Sequence, residues 1–118
     1  MIVERYSSVA LSTCDLARAR SFWVDQLEFA VTQEEIGRFF IIDAGTLRLR
    51  VNLADGDIHR PGSTDPIFSF KVASVTATLA GLAARDVNAY RGPRVGPLGA
   101  SAELRDPDGR TLVLTEAD

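Results

Sequence analysis

The sequence predicts an α+β fold in which one β-α-β-β-β module is written twice. The first sign is a pair of tight hairpins: Arg105-Asp106-Pro107-Asp108-Gly109-Arg110 leads into Thr111-Leu112-Val113-Leu114-Thr115, and Phe39-Phe40-Ile41-Ile42-Asp43 turns through Ala44-Gly45-Thr46 into Leu47-Arg48-Leu49. In the later turn proline presets φ, aspartates accept local backbone hydrogen bonds, and glycine tolerates positive φ. The second sign is that each hairpin follows a strand-like run, a polar capping residue and a helical pattern, in that order.

The first strand is expected over Tyr6 to Thr13, with Val9 and Leu11 on one face and Ser8, Ala10 and Ser12 on the other. Asp15 reads as a helix N-cap, its carboxylate placed to accept a first-turn N–H. Leu16, Ala19, Phe22, Trp23 and Leu27 then recur at helical spacing. A short strand around Phe29 to Gln33 follows, and Gly37 turns the chain into the hairpin of Phe39–Asp43 and Leu47–Asn52. Phe39 and Phe40 alternate, so one packs under the helix and the other faces away; the sequence leaves open which.

From residue 54 to 66 turn formers dominate and periodicity disappears. This stretch, which holds His59, reads as the seam between modules and as a candidate edge of a pocket. The second module restarts at Ile67-Phe68-Ser69-Phe70-Lys71-Val72, with Ser74 as N-cap of a helix burying Val75, Leu79, Leu82 and Ala83. A strand near Val87–Tyr90 and a Gly/Pro-rich connection from Gly92 to Pro97 lead to the terminal hairpin.

Length and composition bound the function. With 118 residues, 46% hydrophobic and 25% charged, the chain matches one ordinary globular domain. A net charge of −3 argues against nucleic acid as a partner. No apolar run approaches the ~20 residues of a membrane span, and the N-terminus lacks a signal-peptide layout. The single cysteine, Cys14, cannot form an internal disulfide and is expected to be buried and inert, which makes a cytoplasmic location the default. No Ser-His-Asp arrangement, phosphate loop or zinc spacing can be assembled.

Val9-Ala10-Leu11-Ser12-Thr13-Cys14-Asp15-Leu16-Ala17-Arg18-Ala19, then Phe22-Trp23 and Leu27-Glu28-Phe29, resemble the opening strand and helix of the vicinal oxygen chelate superfamily, and Asp106-Pro107-Asp108-Gly109 resembles its closing signature. That superfamily holds glyoxalase I, extradiol dioxygenases and bleomycin-resistance proteins. The resemblance implies a single domain, 1–118, made of two βαβββ repeats (about 1–53 and 67–118, joined by 54–66). It implies a curved mixed sheet with helices outside, a cavity inside, and a homodimer. Side chains of Val9, Leu11, Leu47, Leu49, Val51, Phe68, Phe70, Val72, Leu112 and Leu114 would pack beneath the helices. Those of Ser8, Ala10, Ser12, Arg48, Arg50, Ile67, Ser69, Lys71, Thr111, Val113 and Thr115 would face inward.

Enzymes of the superfamily bind a divalent metal through His or Glu on four inward strand positions. The resemblance puts Ser8, Arg50, Ile67 and Val113 at those places, and none of the four is such a ligand. The expectation is therefore no metal, no cofactor and no catalytic residue. The expected function is that of a metal-independent binding protein of the bleomycin-resistance type, of the kind tied to antibiotic resistance. Its ligand would be a polar or anionic, possibly aromatic small molecule, held by Ser8, Ser12, Arg48, Arg50, Ile67, Ser69, Lys71, Thr111 and Val113. Guanidinium groups favour planar anions, unless Glu34, Glu35 or Glu103 takes them up. The alternatives are a metal-dependent lyase, isomerase or dioxygenase with displaced ligands, a metal-independent enzyme with Arg48 or Arg50 at a developing anion, and an accessory subunit with a vestigial pocket.

Overall fold

A computed structural model describes residues 1–5, 7–54 and 65–117. The chain divides into two compact units, Met1–Arg60 and Pro61–Asp118. His59, Tyr6 and nearly all of the expected seam lie outside the described residues.

The first unit runs β1 (Val9–Thr13), α1 (Leu16–Arg20), β2 (Ala30–Glu35), β3 (Phe39–Ala44) and β4 (Leu47–Leu53). Its 4-stranded sheet has the order β1-β4-β3-β2, with β1 parallel to β4 and the other pairs antiparallel. Asp15 caps α1 as expected, accepting the Arg18 N–H at 3.0 Å. The helix then loosens into a π-helical stretch, Ser21–Gln26, where the Leu27 N–H reaches back to the Phe22 carbonyl at 2.9 Å. This carries Phe22 and Trp23 into the core together with Leu11, Phe40, Ile42, Leu49 and Val51. Each such side chain contributes about 1.5–3 kcal/mol of burial. Trp23 is 0% exposed, meets Phe22 edge-on at 5.4 Å and stacks on Phe29 at 6.1 Å. Its indole N–H has no hydrogen-bond partner among the described residues.

The second unit runs β5 (Phe68–Lys71), α2 (Val75–Ala83), β6 (Arg91–Gly96), β7 (Gly99–Arg105) and β8 (Thr111–Thr115). Its sheet repeats the first, in the order β5-β8-β7-β6 with β5 parallel to β8. Ser74 caps α2 by accepting the Ala77 N–H at 3.1 Å. Phe68, Val75, Leu82, Val87, Ala102, Leu104, Leu112 and Leu114 form its core. Each unit therefore carries the expected β-α-β-β-β order.

Four sequence expectations are corrected. The strand placed at Val87–Tyr90 is β6, Arg91–Gly96, inside the supposed Gly/Pro connection. Pairing to β7 outweighs the local breaker signal, because β6 is an edge strand and Gly92-Pro93 falls in a register shift between Arg91 and Arg94. The short strand starts at Ala30 and runs on to Glu35. Ala83 is exposed, since Val75 and Leu82, two helical turns apart, already define the buried side of α2. Cys14 is exposed as well, because strand alternation gives the buried place to Thr13.

At the terminal hairpin, Asp106 accepts the backbone N–H groups of Asp108 and Arg110, at 3.0 and 2.8 Å, and Gly109 sits at φ 87°. The Arg110 guanidinium is gripped by three carboxylates: Asp106 at 2.8 Å, Asp65 at 3.0 Å and Asp108 at 3.4 Å. A second polar clamp joins the unit's end to its helix. The Glu116 carboxylate accepts the N–H of Ala100 at 3.0 Å and of Val75 at 2.8 Å.

Candidate functional site

Strand alternation separates the two faces of each sheet. In the first unit Leu49 and Val51 go to the core, so Arg48, Arg50 and Asn52 fall together on the opposite face. Register adds Ala10 and Ser12 from β1 and Phe39, Ile41 and Asp43 from β3 to that face. The Phe39/Phe40 ambiguity is thereby resolved: Phe40 is fully buried on the core side, and Phe39 lies half-buried beside the arginines.

The two β4 arginines have different surroundings. The Nε of Arg48 meets Asp43 Oδ1 across the hairpin at 3.3 Å. Arg50 instead lays its guanidinium over the Phe39 ring, 3.9 Å from the centroid, and donates its Nε–H to Asn52 Oδ1 at 2.9 Å. Among the described residues no carboxylate pairs with Arg50. Glu34 and Glu35, the acids the sequence offered as partners, are taken by Arg20 at 2.6 Å and Arg38 at 3.4 Å. Hydrogen bonding to Arg20 holds the Glu34 carboxyl below its usual range and raises Arg20 in turn. Around Arg50 opens a cavity of about 530 Å³ lined by Glu35, Gly37, Arg38, Phe39, Arg50, Asn52, Leu53 and Ala54.

The second unit presents Ser69 and Lys71 of β5 with Val113 and Thr115 of β8, which are register partners, and Thr111 beside them. Glu103 of β7 pairs with both Val113 and Arg91 on this face. A smaller cavity of about 140 Å³ is lined by Arg91, Arg94, Ser101, Glu103 and Val113, among others.

The expected site residues thus divide by unit. Ser12, Arg48 and Arg50 share a face of the first sheet, and Ser69, Lys71, Thr111 and Val113 share a face of the second. Ser8 lies one residue before β1, half-buried, and Ile67 lies one residue before β5, 66% exposed. Sequence reasoning missed Asn52 and Asp43. Asn52 was visible as the third member of the alternation Arg48, Arg50, Asn52, whereas Asp43 needed the hairpin register.

At the four places that the resemblance assigns to metal ligands, the donor set does not fit a divalent cation. Arg50 is itself cationic, Val113 and Ile67 offer no lone pair, and one serine hydroxyl is a weak ligand. Among the described residues no group of three or more His, Cys, Asp or Glu side chains gathers where a metal ion could sit.

Comparison with known proteins agrees with this architecture. The model of the Glyoxalase/Bleomycin resistance protein/Dioxygenase superfamily matches residues 5–114. A comparison with curated protein sequences finds no match. Similar solved structures include TnmS3, an antibiotic binding protein from Streptomyces sp. CB03234, at 24% identity and a TM-score of 0.70, covering 99% of this chain and 100% of that one. A glyoxalase family protein from Enterococcus faecalis is similar at 23% identity and a TM-score of 0.75, covering 97% and 98%. Lactoylglutathione lyase from Agrobacterium tumefaciens is similar at 20% identity and a TM-score of 0.71, covering 95% and 92%. These structural likenesses speak to the fold alone, so an enzyme and a binding protein can share it. With a family model spanning nearly its whole length, the chain belongs to the glyoxalase/bleomycin resistance protein/dioxygenase superfamily.

Proposed function

We propose that this protein is a metal-independent binder of a small polar or anionic molecule, a single domain of two repeats that works as a cytoplasmic homodimer. The observation that carries the reading is Arg50. It stands where metalloenzyme relatives place a ligand, it is cationic, and it is held on Phe39 and Asn52 with no carboxylate partner among the described residues. A fixed positive charge there opposes a metal cation and favours an anion. Ser12 and Arg48 on the same face, and Ser8 beside it, supply further donors; Ser69, Lys71 and Thr111 do so on the second unit's face, with Val113 and Ile67 as apolar surface. The similar antibiotic binding protein TnmS3 supports a binding role for this fold. No helix among the described residues is long and apolar enough to cross a membrane.

Native mass spectrometry of freshly purified protein tests the reading. A dimer carrying a retained small organic molecule and no stoichiometric metal is the expected spectrum. A metal ion bound one per chain would instead support a lyase or dioxygenase with displaced ligands, for which Glu103 beside Val113 is the available carboxylate.

A further inference from the structure

We infer that the cavity around Arg50 is a carboxylate seat whose ligand is a planar aromatic monocarboxylate. The inference rests on the binding-protein reading above and names the ligand class of that site. Three observations converge on it.

The first is the state of Arg50. Its guanidinium carbon lies over the Phe39 ring, 3.9 Å from the centroid, and its Nε is tied to Asn52 Oδ1 at 2.9 Å. The ring and the amide hold the head group at two points, which restrains its rotation. A guanidinium so held keeps its terminal N–H donors in a rigid fork, which matches the two oxygens of a carboxylate. Because the side chain is ordered before the ligand arrives, little freedom is lost on binding.

The second is charge. Glu35, Arg38 and Arg50 are the ionisable residues lining the cavity, and Glu35 pairs with Arg38 at 3.4 Å. One positive charge is left over, which suits a monoanion. A dianion such as a phosphate monoester would bring its second charge close to Glu35 without a second cation to meet it.

The third is shape. At about 530 Å³ the open cavity lies within the range of small-molecule sites, and Phe39 and Ala54 give it apolar surface beside the cation.

The test is a two-dimensional amide NMR titration with benzoate, benzamide and phenyl phosphate as probes. Benzoate should move the amides of Phe39, Arg50 and Asn52 saturably, and benzamide, which lacks the charge, should not. Phenyl phosphate should bind more weakly than benzoate. Arg50→Lys keeps the charge but loses the planar fork, and should weaken benzoate by about tenfold or more. Arg18→Lys, at an exposed helix position, makes the same exchange as Arg50→Lys and should leave the titration unchanged. The amide spectrum itself shows whether each variant is folded. Benzoate shifts that centre on Lys71 and Thr111, equal responses to benzoate and benzamide, or an unaltered titration in Arg50→Lys would each overturn the inference. A retained neutral polar molecule in the native mass spectrum would overturn it while leaving the binding function standing.

Discussion

Replacing Arg110 with methionine removes a positive charge from among three carboxylates while keeping an unbranched apolar stem of similar length. The Arg110 side chain is 1% exposed, and its partners Asp106, Asp65 and Asp108 are 0%, 9% and 12% exposed. At separations of 2.8–3.4 Å and an effective dielectric near 20, each pair attracts by about 5 kcal/mol, most of which offsets the cost of desolvating the charges. Removing the cation leaves that cost uncompensated, so the expected loss is about 3–5 kcal/mol. For a domain of this size that lowers the thermal midpoint by about 10–20 °C. Circular dichroism melts and urea titrations of Arg110→Met and Arg20→Met provide the measurement. Arg20 pairs with Glu34 at the surface, with side chains 40% and 27% exposed, so its removal should cost under about 1 kcal/mol. If Arg110→Met falls within about 1 kcal/mol of the wild type, the cluster is solvated and the reasoning about its burial is wrong.

Two further outcomes follow from the Glu116 clamp. A Cβ at Gly99 would stand 2.8 Å from Glu116 Oε1 and 2.9 Å from Glu116 Cβ, at φ +120°. Gly99→Ala should therefore cost about 1–3 kcal/mol through backbone strain, in addition to a disrupted clamp. Gly37→Ala, where a Cβ meets nothing within 4 Å, should cost less by the same denaturation assay. The backbone N–H groups of Ala100 and Val75 hold the Glu116 carboxyl below its ordinary value of 4.5. A carboxyl depressed in the folded state contributes stability that is present above 4.5 and is lost as pH falls through the lower folded value. Midpoints measured below pH 4.5 should thus fall more steeply for the wild type than for Glu116→Gln, and parallel curves would remove the clamp from the account.

Local signals carried most of the fold. The aspartate and serine caps, the two glycine hairpins and the alternation along β4 and β8 are each set by neighbours a few residues away, and each appeared where the sequence places it. Features decided by distant partners were not legible. The strand β6 exists because β7 offers it a ladder, against its own glycines and proline. Arg110 finds Asp65, 45 positions away, by a contact with no local signature. The candidate site shows the same limit. Alternation placed Arg48 and Arg50 on one face, yet only register shows that Asp43 meets the first and that Phe39 and Asn52 hold the second. Trp23, placed by the sequence on the apolar stripe of the first helix, is sealed on the core side of the sheet, so its fluorescence will report unfolding.

If Arg50, Ile67 and Val113 stand where metalloenzyme relatives carry chelators, the protein holds no resident divalent ion. Elemental analysis tests this on protein purified without chelators and equilibrated in turn with zinc, nickel, iron(II) and manganese(II). Well under one ion per chain is expected in every case, with any trace removed by mild dialysis. One tightly held ion per chain, surviving dialysis and lost together with ligand binding when EDTA is added, would contradict it.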